Sequence, residues 1–471
     1  MSKKSLSVFA LAMMNLAAIG TVKNWPTIAE SGFSAIFYLL LAAVVFFIPT
    51  ALVSAELATG WPKTGGVFVW VREAFGHRTG FLAIWLLWIE GVIWFPTMLT
   101  FMAATATYIF DPALAGNKLY LIAFSLATFW ILTFVNLRGM KTSGWISSLG
   151  VIIGSFIPAA VIIFLGFTWY FSKEPLQISL SWNAFFPDFS SPQQWVIFAG
   201  VLLSLCGVEL SAIHARDVQN PQRDYPKATL MTILLVLGLS ILGVLSVGIV
   251  VPQHEISLTA GSMQAFVAFI AHYTTPFLIP LMALLIFIGA VASLSTWIVG
   301  PSRGLLAAAE QGDLPRSLRR INQRGMPKAL LLLQAWIVTG LSLLFVLMPS
   351  VNSAYWILTV MVVQVYLVMY LIMFAAAIRL RYTRPKIHRA YTIPGGKVGI
   401  WIVCGLGIIG SLFTLIIGFF PPAQIPTGKT SIYVTSLITG VILFCLAPVL
   451  IERFKKPSWA EKLPHETGDD E

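Results

Sequence analysis

Charge is what this sequence has least of. Only 10% of the 471 residues are Asp, Glu, Lys or Arg, where a soluble domain carries about a quarter. That shortage excludes an ordinary soluble globular protein. Cysteine is scarce too: Cys206, Cys404 and Cys445 stand in apolar runs, without metal-ligand or disulfide spacing, and read as small buried hydrophobes. The six histidines make no triad with carboxylates and no ligand set, so no metal or other cofactor is expected. His214, His254 and His272 fall near membrane faces, as acid sensors or as plain interface residues. Low-complexity tracts are missing, and so is any polar stretch long enough for a soluble domain. The start, MSKKSLSVFALAMMNLAAIG, has no convincing small-residue cleavage site after it. Its apolar part reads instead as the first half of a membrane helix.

What is abundant is apolar length. Hydrophobic residues make up 58% of the chain, and mean hydropathy is +0.84. A bilayer core of about 30 Å needs roughly 20 apolar residues per helix. Spans are expected at 7–32, 34–57, 80–109, 119–136, 144–171, 192–213, 227–250, 277–308, 329–348, 354–379, 398–420 and 431–451. The expected fold class is therefore an all-α integral membrane protein of twelve transmembrane helices. It forms one domain over 1–451, followed by a short tail, 452–471. Two shorter pieces also read as helical: VFVWVREAF after Gly66, at an interface, and LTAGSMQAFVAFIAHY, lying over the outer mouth.

The basic residues give the orientation. With the N-terminus inside, 25 of the 30 Lys and Arg fall in inner loops and termini, against Lys118, Lys173 and Lys429 outside. This bias places both termini in the cytoplasm. It also explains the net charge of +11: the lipid bilayer, not nucleic acid, is the expected partner of the basic face. The oligomeric state is left open.

The sequence is organised around 203–228, LSLCGVELSAIHARDVQNPQRDYPKA. An apolar helix meets Gly207 and then a lone Glu209, leaves through a polar run, and stops at Asn220-Pro221 and Tyr225-Pro226. A carboxylate at membrane depth is a functional-site hypothesis by default. A second interruption runs from Ile19 through Gly20, Thr21, Val22 and Lys23 to Pro26. Broken membrane helices free backbone groups, which persist where they line a cavity or bind a ligand. Two such breaks, one near the front of each half, point to a transporter. The halves 7–171 and 192–379 then overlay as five-plus-five helices with breaks in the first and sixth, and 398–451 adds two more.

In such breaks, N–H groups receive a substrate carboxylate and carbonyls receive an ammonium. Ile19-Gly20-Thr21 and Cys206-Gly207-Val208 are the expected contacts; alternatively Gly20 and Gly207 only permit close helix packing. Lys23 and Glu209 would pair with each other, or Lys23 would meet an acidic group of the substrate, or it would snorkel to the outer surface. Glu90 either lines the pathway or hydrogen-bonds a neighbouring helix, while Glu30 and Glu56, near helix ends, read as structural. Trp297 on span 8 and Tyr366 and Tyr370 on span 10, the latter spaced i, i+4 and hence on one face, can approach the centre.

These pieces carry a resemblance. WPTIAESGFS at 25–34, PKTGGVFVWV at 62–71, GVELSAIHARDVQNPQRDYPKA at 207–228, SLTAGSMQAF at 257–266, WIVGPSRG at 297–304 and TIPGGK at 392–397 resemble the amino acid–polyamine–organocation superfamily. Within it, they resemble the bacterial glutamate:GABA antiporters. The resemblance implies a LeuT-like fold with an inverted repeat and alternating-access exchange of amino acids, as small-molecule substrates, in the inner membrane. It places Glu209, Trp297, Tyr366 and Tyr370 around the substrate, and implies a role in acid resistance. Two departures stand out. Lys23 replaces an aromatic residue of the family's antiporter, and the tail ending at Glu471 is shorter than the one that plugs the family's cytoplasmic mouth at neutral pH. Shut-off by that route is not expected here. A proton-coupled symporter of neutral amino acids or amines is the alternative. A membrane enzyme is disfavoured because no ligand cluster or paired acid–base site stands at membrane depth.

Overall fold

The computed structural model describes residues 8–19, 22–62, 65–139, 150, 152–209, 221–273, 276–423 and 425–460. All regular structure among them is helical, as apolar surroundings require, since helices satisfy their backbone polar groups internally. In chain order the elements used below are α1 Val8–Ile19, α2 Trp25–Ala29, α3 Gly32–Gly60, α4 Val67–Phe75, α5 His77–Phe110, α6 Lys118–Asn136 and α7 Ile153–Phe171. They continue with α8 Ile197–Ser204, α9 Pro221–Gly248, α10 Gly261–Tyr273, α11 Leu278–Glu310, α12 Lys328–Leu347, α13 Val351–Thr383, α14 Gly396–Ile417 and α15 Thr430–Arg453.

Ten of these are long and apolar enough to cross a membrane. The other two expected spans are the interrupted ones. The first is α1, a short 3-10 turn over Val22–Asn24 and α2; the second is α8 with the non-helical residues that follow it. Residues 20–21 and 210–220, which join the pieces, lie outside the described residues, as do 461–471 of the tail and His214.

Some expected boundaries move. Helix α13 runs to Thr383 rather than 379, and α5 begins at His77 rather than 80. Helix α9 begins at Pro221 and runs across Pro226, so the Asn-Pro pair starts a helix instead of stopping one. The physical reason is that a first-turn proline lacks only an N–H that would be unpaired anyway. The short pieces form as expected, as α4 and α10.

Helix α5 makes the centre, and its packing against α11 and against α13 is the most extensive of any helix pair among the described residues. The most apolar windows of α5 and α13 are 89% and 83% buried, whereas that of α15 is 11% buried and faces outward. Helix α11 crosses α7 with backbone against backbone. A methyl group on Gly154 would stand 2.1 Å from the Gly289 nitrogen, so here glycine does permit close packing.

On the basic face, Glu56 at the end of α3 collects a set of donors. It accepts from Arg381 Nε at 2.9 Å and from the Ile393 backbone N–H at 2.9 Å. Arg389 Nε lies 3.4 Å away. The loop between α13 and α14 is thereby tied to α3, in keeping with the structural role expected of Glu56. Lys455 and His77 similarly meet Asp313, joining the end of α15 to α5 and to the loop after α11.

Candidate functional site

The second interruption starts where α8 ends at Ser204. Gly207 has φ +109°, a conformation that a residue with a Cβ adopts only under strain. A methyl there would meet nothing nearer than Trp297 Cζ2 at 3.7 Å, which is ordinary contact. Glycine is thus required for the backbone turn, and close packing does not explain it. The turn frees the Gly207 N–H, which donates to the Tyr370 hydroxyl at 3.1 Å.

That hydroxyl donates in turn to Glu209 Oε2 at 2.7 Å, and the Tyr366 hydroxyl donates to Oε1. Glu209 is 2% exposed, and each of its oxygens takes one tyrosine hydroxyl. The i, i+4 tyrosines stack with ring centroids 4.7 Å apart. Phe46 meets Tyr370 edge-on at 4.9 Å. It comes from a π-helical stretch of α3, Ala43–Phe47, a distortion common at functional sites.

Ile19, at the end of α1, reaches within 3.9 Å of where a Gly207 methyl would stand, so the two interruptions face each other. Cys206 turns its thiol back onto the Leu202 carbonyl at 3.3 Å, leaving only its backbone for a ligand. Of the ten expected site residues, Ile19, Cys206, Gly207, Glu209, Trp297, Tyr366 and Tyr370 come together. Gly20 and Thr21 lie outside the described residues.

Lys23 is placed differently from either structural expectation. It is 1% exposed, so it does not reach the protein surface, and it forms no ion pair with Glu209. Among the described residues its Nζ has no hydrogen-bond partner. Instead it sits over two rings, 5.3 Å from the Trp94 centroid and 5.0 Å from that of Tyr355. The physical reason is that Glu209 is already engaged by two tyrosines, while Lys23 lies beyond the first break, where aromatic faces of α5 and α13 converge.

Trp94 continues to Trp297, their centroids 5.7 Å apart. Trp94 and Tyr355 escaped the sequence reading, although the spacing held a signal. Trp94 is one turn beyond Glu90, and Tyr355 is eleven residues, three turns, before Tyr366 on the same face. Glu90 is 2% exposed, and among the described residues its Oε1 has no hydrogen-bond partner. The freed Val22 carbonyl is capped by the Ser262 hydroxyl at 2.8 Å, so α10 closes over the first interruption.

Two broken segments meeting at a buried carboxylate, walled by aromatics and enclosed by ten spanning helices, define a multi-pass membrane protein with a polar site at membrane depth. A family model described as amino acid permease matches residues 5–444. The chain is 46% identical to an uncharacterized transporter of Legionella pneumophila, over 96% of this chain and 97% of that protein. It is 34% identical to a glutamate/gamma-aminobutyrate antiporter of Lactococcus lactis, over 96% and 91%. It is 26% identical to a cadaverine/lysine antiporter of Escherichia coli, over 74% and 73%. The chain belongs to the amino acid permease family of the amino acid–polyamine–organocation superfamily, a family of membrane transporters with the LeuT-like fold.

Proposed function

We propose that this protein is an antiporter that exchanges glutamate, or a similar amino acid, for GABA or a related decarboxylation product by alternating access. The observation that carries the reading is Glu209, buried in an interrupted segment and oriented by Tyr366 and Tyr370. A carboxylate held at such a break, at membrane depth, suits a substrate ammonium. The turn at Cys206 and Gly207, with Ile19 opposite, supplies backbone groups for the remaining polar atoms, and Trp297 walls the site. Similarity to the Lactococcus antiporter supports the substrate pair. The basic face is read as cytoplasmic, with both termini inside a bacterial inner membrane. Exchange of glutamate for its decarboxylation product would remove a cytoplasmic proton per cycle, hence the acid-resistance role.

Counterflow in proteoliposomes tests this directly. Vesicles loaded in turn with glutamate, GABA, glutamine, arginine and leucine are given labelled glutamate outside, at acid and at neutral pH. Uptake confined to glutamate- or GABA-loaded vesicles is expected. Accumulation driven by an imposed proton gradient, with no trans-stimulation, would replace the antiporter with a symporter.

A further inference from the structure

Lys23 is the one described residue near the site whose terminal polar atom has strong charge chemistry and only ring faces around it. It is 1% exposed, and among the described residues its Nζ has no hydrogen-bond partner. Ring faces attract an ammonium but offer no acceptor for its three N–H donors. A cation so buried is costly unless an anion joins it.

The surroundings tell where that anion would lie. From Lys23 the wall runs through Trp94, 5.3 Å from Nζ, to Trp297, 5.7 Å further, and Trp297 borders Gly207, two residues from Glu209. Tyr355, on which Lys23 also rests, shares a face of α13 with Tyr366 and Tyr370, the partners of Glu209. Lys23 and Glu209 are therefore opposite poles of one aromatic-walled strip. No ion pair joins them, and among the described residues the Lys23 Nζ has no hydrogen-bond partner.

We propose that Lys23 receives the distal carboxylate of the substrate while Glu209 receives its ammonium. The site then selects amino acids whose anionic group is separated from the amine by several methylenes. This rests on the transporter reading above and adds the substrate's polarity. Glutamate and GABA share that distal carboxylate; the group by which they differ, the α-carboxylate, falls to the interrupted backbone. Both members of the pair should therefore depend on Lys23 alike. Had Lys23 bound the α-carboxylate, only glutamate would depend on it.

The test uses the full-length protein, with Lys23→Met, Lys23→Gln and Lys23→Arg beside the wild type. Competition against counterflow is measured with glutamate, glutamine, GABA, β-alanine and 5-aminovalerate. Ligand-induced thermal stabilisation is measured in detergent with glutamate, glutamine, aspartate and asparagine. Losing one partner of a buried charge pair should weaken glutamate and GABA by roughly 30-fold or more. The two neutral variants should lose the preference for glutamate over glutamine, and Lys23→Arg should retain it. A wild-type glutamate/glutamine ratio in a folded neutral variant would overturn the proposal, as would loss of glutamate with GABA unchanged.

If the wild type exchanges neither glutamate nor GABA, the antiporter reading fails on its own, and Lys23 is then judged by stabilisation. Preference for the acid over its amide, abolished in the neutral variants, sustains it. No such preference in the wild type overturns it.

Discussion

Glu56 and Lys23 are buried to the same degree, 2% and 1% exposed, yet their surroundings are opposite. Around Glu56, Arg381, Arg389 and the Ile393 N–H converge within 3.4 Å, and the carboxylate is saturated. Around Lys23 there are two ring faces and, among the described residues, no acceptor for its Nζ. A buried charge with all its partners inside the chain serves the fold, tying the α13–α14 loop to α3. A buried charge without them costs the fold stability, and its partner must come from elsewhere. Glu209 lies between these cases. Two tyrosines fix its direction from within the chain, yet it stands at a helix break and ties no loop in place.

The sharpest way to break this contrast is at Glu209. Replacement by Ala strips the site of its only anion bonded to α13 and leaves the Tyr366 and Tyr370 hydroxyls without their acceptor. Exchange should fall below detection while the purified protein stays folded, with a monodisperse elution profile and a helical spectrum. Wild-type rates would remove Glu209 from the mechanism. The structural pole should respond in the reverse way. Glu56→Ala leaves Arg381 and Arg389 facing each other without their carboxylate, a loss of about 3–5 kcal/mol for a broken buried pair. The melting temperature in detergent should drop sharply, while the substrate preference of surviving protein stays as in the wild type. A shifted preference would mean that the Glu56 cluster belongs to the site after all.

A smaller effect joins the two regions through packing. A methyl group on Gly243 would stand 2.4 Å from the indole of Trp25, which is two residues from Lys23. Gly243→Ala must displace that ring, at the about 1–3 kcal/mol typical of overpacking. If the position of Lys23 governs selectivity, the glutamate/glutamine ratio should fall in this variant by more than the loss of stability alone predicts. Melting curves and competition assays on one preparation would show whether the two move together.

How legible each pole was follows from the range of its contacts. Glu209 was visible because a lone carboxylate in an apolar run has no innocent explanation. Tyr366 and Tyr370 were visible because a four-residue spacing puts them on one face. The break at Gly207 was visible too, although its reason, a positive φ, is a backbone fact that composition does not carry. The surroundings of Lys23 could not be read. Trp94 lies 71 residues away and Tyr355 332 residues away in the sequence, and no local pattern ties them to it. Glu56 shows the same limit, since its partners come from the far end of α13 and beyond. The start of α9 was misplaced for a different reason. Asn-Pro ends one element or begins the next with equal ease, and the decision rests on packing that a local signal does not contain.

The smallest predicted effect is the most discriminating. If Lys23 has no partner within the fold, removing its charge removes a cost and breaks nothing. Lys23→Met keeps an unbranched apolar chain of nearly the same length beside Trp94 and Tyr355, while discarding the ammonium. The only favourable term lost is the attraction of the cation to two rings, roughly 2 kcal/mol when desolvated. Against this stands a burial penalty of several kcal/mol for an ion. Without substrate, the melting temperature of Lys23→Met should therefore equal or exceed that of the wild type. With glutamate added, the order should reverse, because only the wild type gains a buried ion pair from the ligand. A variant less stable than the wild type in the absence of substrate would place Lys23 beside Glu56 as a member of the scaffold, and the contrast between the two charges would be lost.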